Sequence, residues 1–191
     1  MIKKDIIIEG DNIVKRNKKT KRSKLKWKDF IPSMIYWPII ITQSILVFLY
    51  YNYYNLSFLS WIGWGSLGFF LIFGALPKQA FNKYGEIEKG KSHIYTTKLV
   101  DKGVYAIIRH PYWLCWIILS ISLSFLSQYW IMIILTITAS SIIYLETFNL
   151  DRGLIDKFGT DYKDYIKRVP RMNIIYGLIL FLRTKFSEIM E

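Results

Sequence analysis

The chain has 191 residues, 52% of them hydrophobic and 17% aromatic, and carries a formal net charge of +12. A basic nucleic-acid binder spreads its Lys and Arg along a face that tracks phosphates. Here they are shut out of two long stretches, Phe30 to Pro77 and Pro111 to Leu145, which hold no Asp, Glu, Lys or Arg; that pattern excludes an ordinary soluble domain and predicts no nucleic-acid partner.

In chain order, residues 1–30 form a basic segment with Lys15, Arg16, Lys18, Lys19, Lys21, Arg22, Lys24, Lys26 and Lys28, too polar for a signal peptide and suited to fixing topology against anionic lipid. The rest, 31–191, reads as one membrane domain. A helix crosses a bilayer with about 20 apolar residues, so each charge-free run holds two helices. The runs break at Tyr51-Asn52-Tyr53-Tyr54-Asn55 and at Ser127-Gln128-Tyr129-Trp130, which predicts spans at 31–50, 56–76, 111–127 and 130–146. Aromatic residues gather at both breaks as they do at membrane interfaces, and every Lys and Arg falls at the other end. The fold expected is an all-α polytopic bundle of about four transmembrane helices with both termini and the loop 78–110 in the cytoplasm.

Glycines at 85, 90 and 103 suggest a short structured insert in that loop. Beyond the fourth span, Leu150, Leu154, Ile155 and Phe158 share a helical face up to Gly159, and "TDYKDYIKRV" opens with a Thr-Asp cap and stops at Pro170. Such amphipathic pieces roof a bundle or lie on the membrane. The apolar stretch 174–182 is too short to span and predicts an interfacial or re-entrant helix. No internal repeat is visible. The lone Cys115 reads as packing, and two histidines without a cysteine or carboxylate cluster predict no metal.

Polar groups collect at the cytoplasmic boundary: Arg109-His110 with Tyr105, Tyr112 and Trp113; Glu146 and Asp151 at the exit of the fourth span; and Tyr162, Tyr165, Arg168 and Arg171. A charge beside an apolar run needs water or a partner. Arginines to grip a carboxylate, acids to grip an amine or ribose and aromatics to hold a ring would make a small-molecule pocket. Taken singly, Arg109 and His110 also read as snorkelling residues, Tyr162 and Tyr165 as interfacial anchors, and Arg168 and Arg171 as contacts to anionic lipid.

The segments "LVDKGVYAIIRHPYWLCW" and "LIDKFGTDYKDYIKRVPR" resemble the paired signature of the isoprenylcysteine carboxyl methyltransferases and the related phospholipid methyltransferases. The likeness covers about residues 97–171. It implies a membrane enzyme that binds S-adenosylmethionine in a cytoplasm-facing pocket and takes a lipid or prenylated substrate from the bilayer. Gly103, Tyr105, Arg109, His110 and Pro111 match the first motif, and Leu154, Phe158, Gly159, Tyr162, Tyr165, Val169, Pro170 and Arg171 the second. The cofactor-binding set implied is Gly103, Tyr105, Arg109, His110, Pro111, Asp151, Tyr162, Tyr165 and Arg171. In that set Arg109 and His110 hold the cofactor's carboxylate end, and Asp151 its amino group or ribose. Arg109, Glu146 and Asp151 are the catalytic candidates, the acids serving as base if the acceptor is an amine.

The chain departs from the family at Leu150 and Asp151, where two glutamates are usual, at Thr97 for a histidine, and at Trp113 and Cys115 for a tyrosine and a glycine. Two rivals share parts of the pattern: NADPH-dependent sterol reductases, whose tail "DKFGTDYKDY" resembles, and a catalytically silent membrane scaffold. Neither oligomeric state nor methyl acceptor is legible.

Overall fold

The computed structural model describes residues 31–85 and 98–190. The basic segment 1–30 and the part of the loop that carries Thr97 lie outside the described residues. The elements are α1 (Ile31–Leu49), α2 (Ser57–Tyr84), a 3-10 turn (Gly103–Ala106), α3 (Pro111–Ser127), α4 (Trp130–Phe158), α5 (Thr160–Arg168) and α6 (Ile174–Met190). Among the described residues the structure is helical throughout. α1, α2 and α4 are long and apolar enough to cross a membrane, and α3 is a shorter apolar helix.

α3 is the central helix, packed against α1, α2 and α4, and α1 also lies on α4. Lipid is as apolar as leucine, so helices associate in a bilayer through small residues and hydrogen bonds rather than through the hydrophobic effect. α3 has both. Ser122 Oγ donates to the Gly63 carbonyl of α2 at 2.7 Å, and a methyl at Gly63 would strike Leu126 of α3. On the other side, Ser120 Oγ donates to Gln43 Oε1 at 2.7 Å, Gln43 Nε2 donates to Thr136 Oγ1 at 2.8 Å, and Thr136 Oγ1 donates to the Ser120 carbonyl at 3.0 Å. Each such bond stabilises by only about 0.6 kcal/mol. Their main effect is to fix how α1, α3 and α4 are rotated against one another.

The turns at the far end are cross-tied. Asn52 and Tyr53 donate backbone N–H groups to the carbonyls of Leu126 and Ser127. Gln128, in a left-handed conformation at φ 59°, reaches across: Nε2 donates to Asn52 Oδ1 (2.7 Å), the Leu56 carbonyl (2.9 Å) and Ser60 Oγ (3.0 Å), while Oε1 accepts from Leu56 N–H at 3.0 Å. Tyr50 and Tyr129 stack at 4.4 Å beside it. Tyr36, Trp37, Trp113 and Trp116 pack together at the opposite end, so aromatic residues mark both boundaries.

Three sequence-based boundaries are corrected. α2 does not end at 76 but continues through Pro77 to Tyr84. Proline deletes one helical hydrogen bond; the burial of Ala80, Phe81 and Tyr84 against Val100, Val104 and Tyr105 outweighs it. α4 does not end at 146; the expected span and the following amphipathic piece are one unbroken helix. Met132, Ala139, Ile143, Thr147 and Asp151 are all buried along one seam of it, so the packing that holds the span also holds the extension. At about 1.5 Å per residue α4 is about 43 Å long against a hydrocarbon core of about 30 Å, and Asp151 lies about 32 Å along it from Trp130, at the level where such a core ends. The apolar stretch 174–182 is only the first half of α6, which runs on to Met190 because residues 183–190 contain no helix breaker.

Candidate functional site

The site begins with a backbone seam. Gly103, at φ +66°, opens the 3-10 turn with its Cα close to Ala80 of α2, and the chain then runs through Ile107 and Ile108 to Arg109 and His110. Arg109 N–H donates to the Pro170 carbonyl at 3.0 Å and His110 N–H to the Arg171 carbonyl at 3.1 Å. Pro111, buried at the first position of α3, has no N–H that a helix start would leave unpaired. The two sequence motifs are thus joined main chain to main chain, and Tyr165 adds a third tie by donating to the Tyr105 carbonyl at 2.6 Å.

Asp151 sits inside this seam and is the hub of the site. Its Oδ1 accepts from Tyr162 OH at 2.6 Å and pairs with His110 Nε2 at 2.8 Å. Its Oδ2 accepts from Arg109 Nη1 at 2.9 Å and from Arg171 Nε (3.2 Å) and Nη2 (2.9 Å). Arg171 is also laid over the Phe148 ring, with its guanidinium carbon 3.5 Å from the ring centroid, a cation–π geometry. Arg109, His110, Tyr162 and Asp151 are all buried. Asp151 needs this escort, because a buried carboxylate without partners costs several kcal/mol.

Burial pushes the His110 pKa below its ordinary value; Asp151 works against that shift, and Arg109 and Arg171 add to it. The ring is therefore neutral, with Nε2–H donating to the carboxylate. Burial likewise raises Tyr162 and Tyr165, so both phenols stay protonated donors. Two guanidiniums, the buried Arg109 and the partly buried Arg171, share the Asp151 carboxylate. Arg109 Nε is also buried without a hydrogen-bond partner. A buried donor left unpaired in this way costs about 1–3 kcal/mol.

The residues picked from sequence separate into layers. Arg109, His110, Asp151, Tyr162 and Arg171 meet in one cluster. Tyr165 and Tyr105 stand behind it, with the Tyr105 ring edge-on to Phe81 at 5.1 Å. Gly103 and Pro111 shape the turn and the helix start. Glu146 is buried on α4 and accepts from Asn149 Nδ2 at 3.2 Å. Arg168 is exposed on α5. Sequence reasoning missed Phe148 and Tyr144, whose rings both lie under Arg171; their spacing of three and seven positions before Asp151 on one helix was the available signal. One turn into α3, Phe70, Leu71, Gly74, Tyr112, Cys115 and Trp116 line a groove of about 200 Å³ between α2 and α3. Its lining is mostly apolar, and Tyr112 in that lining follows His110 and Pro111 directly in the chain.

A helical bundle with three helices long and apolar enough to cross a membrane and an ionic cluster at one end defines a multi-pass integral membrane protein. Residues 67–149 match the model of the isoprenylcysteine carboxyl methyltransferase (ICMT) family. The matched stretch includes the second half of α2, Arg109-His110-Pro111, α3 and most of α4; Asp151, Tyr162, Tyr165 and Arg171 lie beyond it. No curated protein and no solved structure matches the chain.

Proposed function

We propose that the chain is an S-adenosylmethionine-dependent methyltransferase that esterifies the carboxylate of a lipidated substrate, isoprenylcysteine-like in character, at the cytoplasmic face of its membrane. The observation that carries this reading is the surplus of positive charge around Asp151, together with the unpaired Arg109 Nε. A cofactor with a carboxylate tail fits that donor set. Arg109 and Arg171 would hold the tail, and Tyr162 and His110 would fix the carboxylate that keeps both guanidiniums in place. The sulfonium of the bound cofactor supplies an already electrophilic methyl group.

What remains for the chain is alignment and exclusion of water. Tyr165, Gly103 and Pro111 hold the Arg109–His110 segment against the bundle roof. The groove between α2 and α3 would receive an apolar chain from the bilayer and set the acceptor at the start of α3. A carboxylate acceptor is ionised at neutral pH and needs no base. An amine acceptor needs one, and Asp151, with both oxygens occupied by donors, is a poor base; only Glu146 would be left for a phospholipid amine. The geometry therefore favours the carboxylate. The placement of Lys83, Lys102, Arg109 and Arg171 at one end supports a cytoplasmic site by the positive-inside rule.

Calorimetric titration of the detergent-solubilised protein tests the reading. S-adenosylhomocysteine should bind and NADPH should not. Arg109→Lys should weaken binding by about ten- to a hundredfold, because an ammonium cannot reproduce the guanidinium's directed donors. Binding of NADPH would turn the assignment toward a reductase, and binding of neither toward a silent scaffold.

A further inference from the structure

The C-terminal helix α6 is a surface that the proposed reaction does not use. Asn173 accepts the Tyr176 N–H at 3.0 Å and starts the helix. Its attachment to the bundle lies in the first two turns: Ile174 packs on the cluster of Val104, Tyr105 and Ile108, and Gly177 sits directly against the Ile107 carbonyl and the Pro170 ring, where any side chain would collide. From Leu182 to Ser187 every residue is exposed. At about 100° per residue, Ile175, Leu178, Ile179, Leu182 and Phe186 fall within an arc of about 100° on the side away from Gly177. All are exposed, Ile175 by 76% and Phe186 by 66%. Arg183 and Lys185 flank this arc on its two sides.

Three orientations are open to such a helix, and the residues decide between them. If α6 dipped into the bilayer from its first residue, Arg183 would lie about 13 Å deep, near the middle of a core about 30 Å thick, where a cation is costly. If it stood free in water, the whole stripe would be left as an apolar patch on a soluble appendage. If it lies in the plane of the interface, the stripe is buried among acyl chains, and Arg183 and Lys185 reach up to the headgroups from its edges. Only the third orientation satisfies every side chain, and the membrane-crossing helices likewise expose apolar side chains, Leu71 and Ile72 on α2 and Leu145 on α4.

We propose that α6 lies flat in the headgroup–acyl boundary as a lipid-surface anchor. Through the Gly177–Ile107 contact it sets the height of the Arg109–His110 segment relative to the membrane. This rests on the membrane fold and not on the methyltransferase reading.

Spin labels at single introduced cysteines in nanodisc-embedded full-length protein test it. Cys115 is only 2% exposed, and unlabelled wild type serves as the control; Cys115→Ala supplies the background if it reacts. Labels at Leu178, Leu182 and Phe186 should favour oxygen over a water-soluble nickel chelate and report one shared shallow depth of about 5–10 Å. Labels at Thr184 and Ser187 should be open to the chelate. A depth that grows steadily from Leu178 to Phe186 would overturn the proposal in favour of a re-entrant helix. Chelate access along the stripe equal to that at Thr184 would overturn it in favour of a helix in water, and dipolar broadening between protomers would show that a second copy covers the stripe instead.

Discussion

Each end of the bundle is closed by a single side chain that accepts or donates several hydrogen bonds, and the two hubs differ in one respect. At the turn end, Gln128 meets Asn52, Leu56 and Ser60, all neutral partners, its two amide N–H groups shared among three acceptors. At the charged end, Asp151 gathers Arg109, His110, Tyr162 and Arg171, and after every contact a cation and an unpaired Arg109 Nε remain. A balanced network rigidifies, whereas one with a surplus of donors and charge is stable and still has affinity left over. The first end is built to hold; the second holds as well and keeps a donor to spare.

The largest effect should come from Asp151→Asn. The amide keeps the shape but leaves the buried Arg109 and the partly buried Arg171 without their shared counter-charge, a loss of about 3–5 kcal/mol. Thermal unfolding in detergent should show a large fall in Tm together with loss of any rise on adding S-adenosylmethionine. Both readouts should fail together, because one group serves both purposes.

Gln128→Ala should separate the two properties. It removes the acceptor of the Leu56 amide and the tie between the turns, costing about 1–3 kcal/mol of stability, while affinity for S-adenosylhomocysteine stays within about twofold. Comparable losses of affinity in Gln128→Ala and Asp151→Asn would erase the distinction between the ends.

The smallest effect is on pH dependence. His110 is held below its ordinary value of 6.5, mainly by burial, so the folded state favours the neutral ring. The stability this provides is complete above about pH 6.5 and is lost as pH falls from there toward the depressed folded value, by at most about 1.4 kcal/mol per pH unit. Melting temperatures at pH 7.5 and pH 5.5 should diverge more in wild type than in His110→Gln. No turn-end substitution should change that divergence.

The sequence made the membrane class and the polar constituents of the site legible, because charge exclusion and motif spacing are local signals. Arg109, His110, Asp151, Tyr162 and Arg171 were all marked in advance. How they satisfy one another was not, since a sequence does not say which buried group meets which: Arg109 and Asp151 were read as gripping opposite parts of a ligand, and they grip each other at 2.9 Å. Helix ends were misplaced for a related reason. The onset of charge at Lys78 and Glu146 marks where apolar surroundings stop, but backbone hydrogen bonding in α2 and α4 continues as long as a buried seam supports it.

That continuity has a consequence for α4. Thr136, clamped by Gln43 and Ser120 inside the hydrocarbon, and Asp151 lie fifteen residues apart on one uninterrupted helix, about 22 Å along its axis and within about 60° in azimuth. The threonine acts as an indexing pin: it fixes the angle at which the rod is set, and the rod transmits that angle to the carboxylate at the level where the core ends. Inserting one residue between them would turn Asp151 by about 100° away from Arg109 and Arg171 without altering a single side chain of the site.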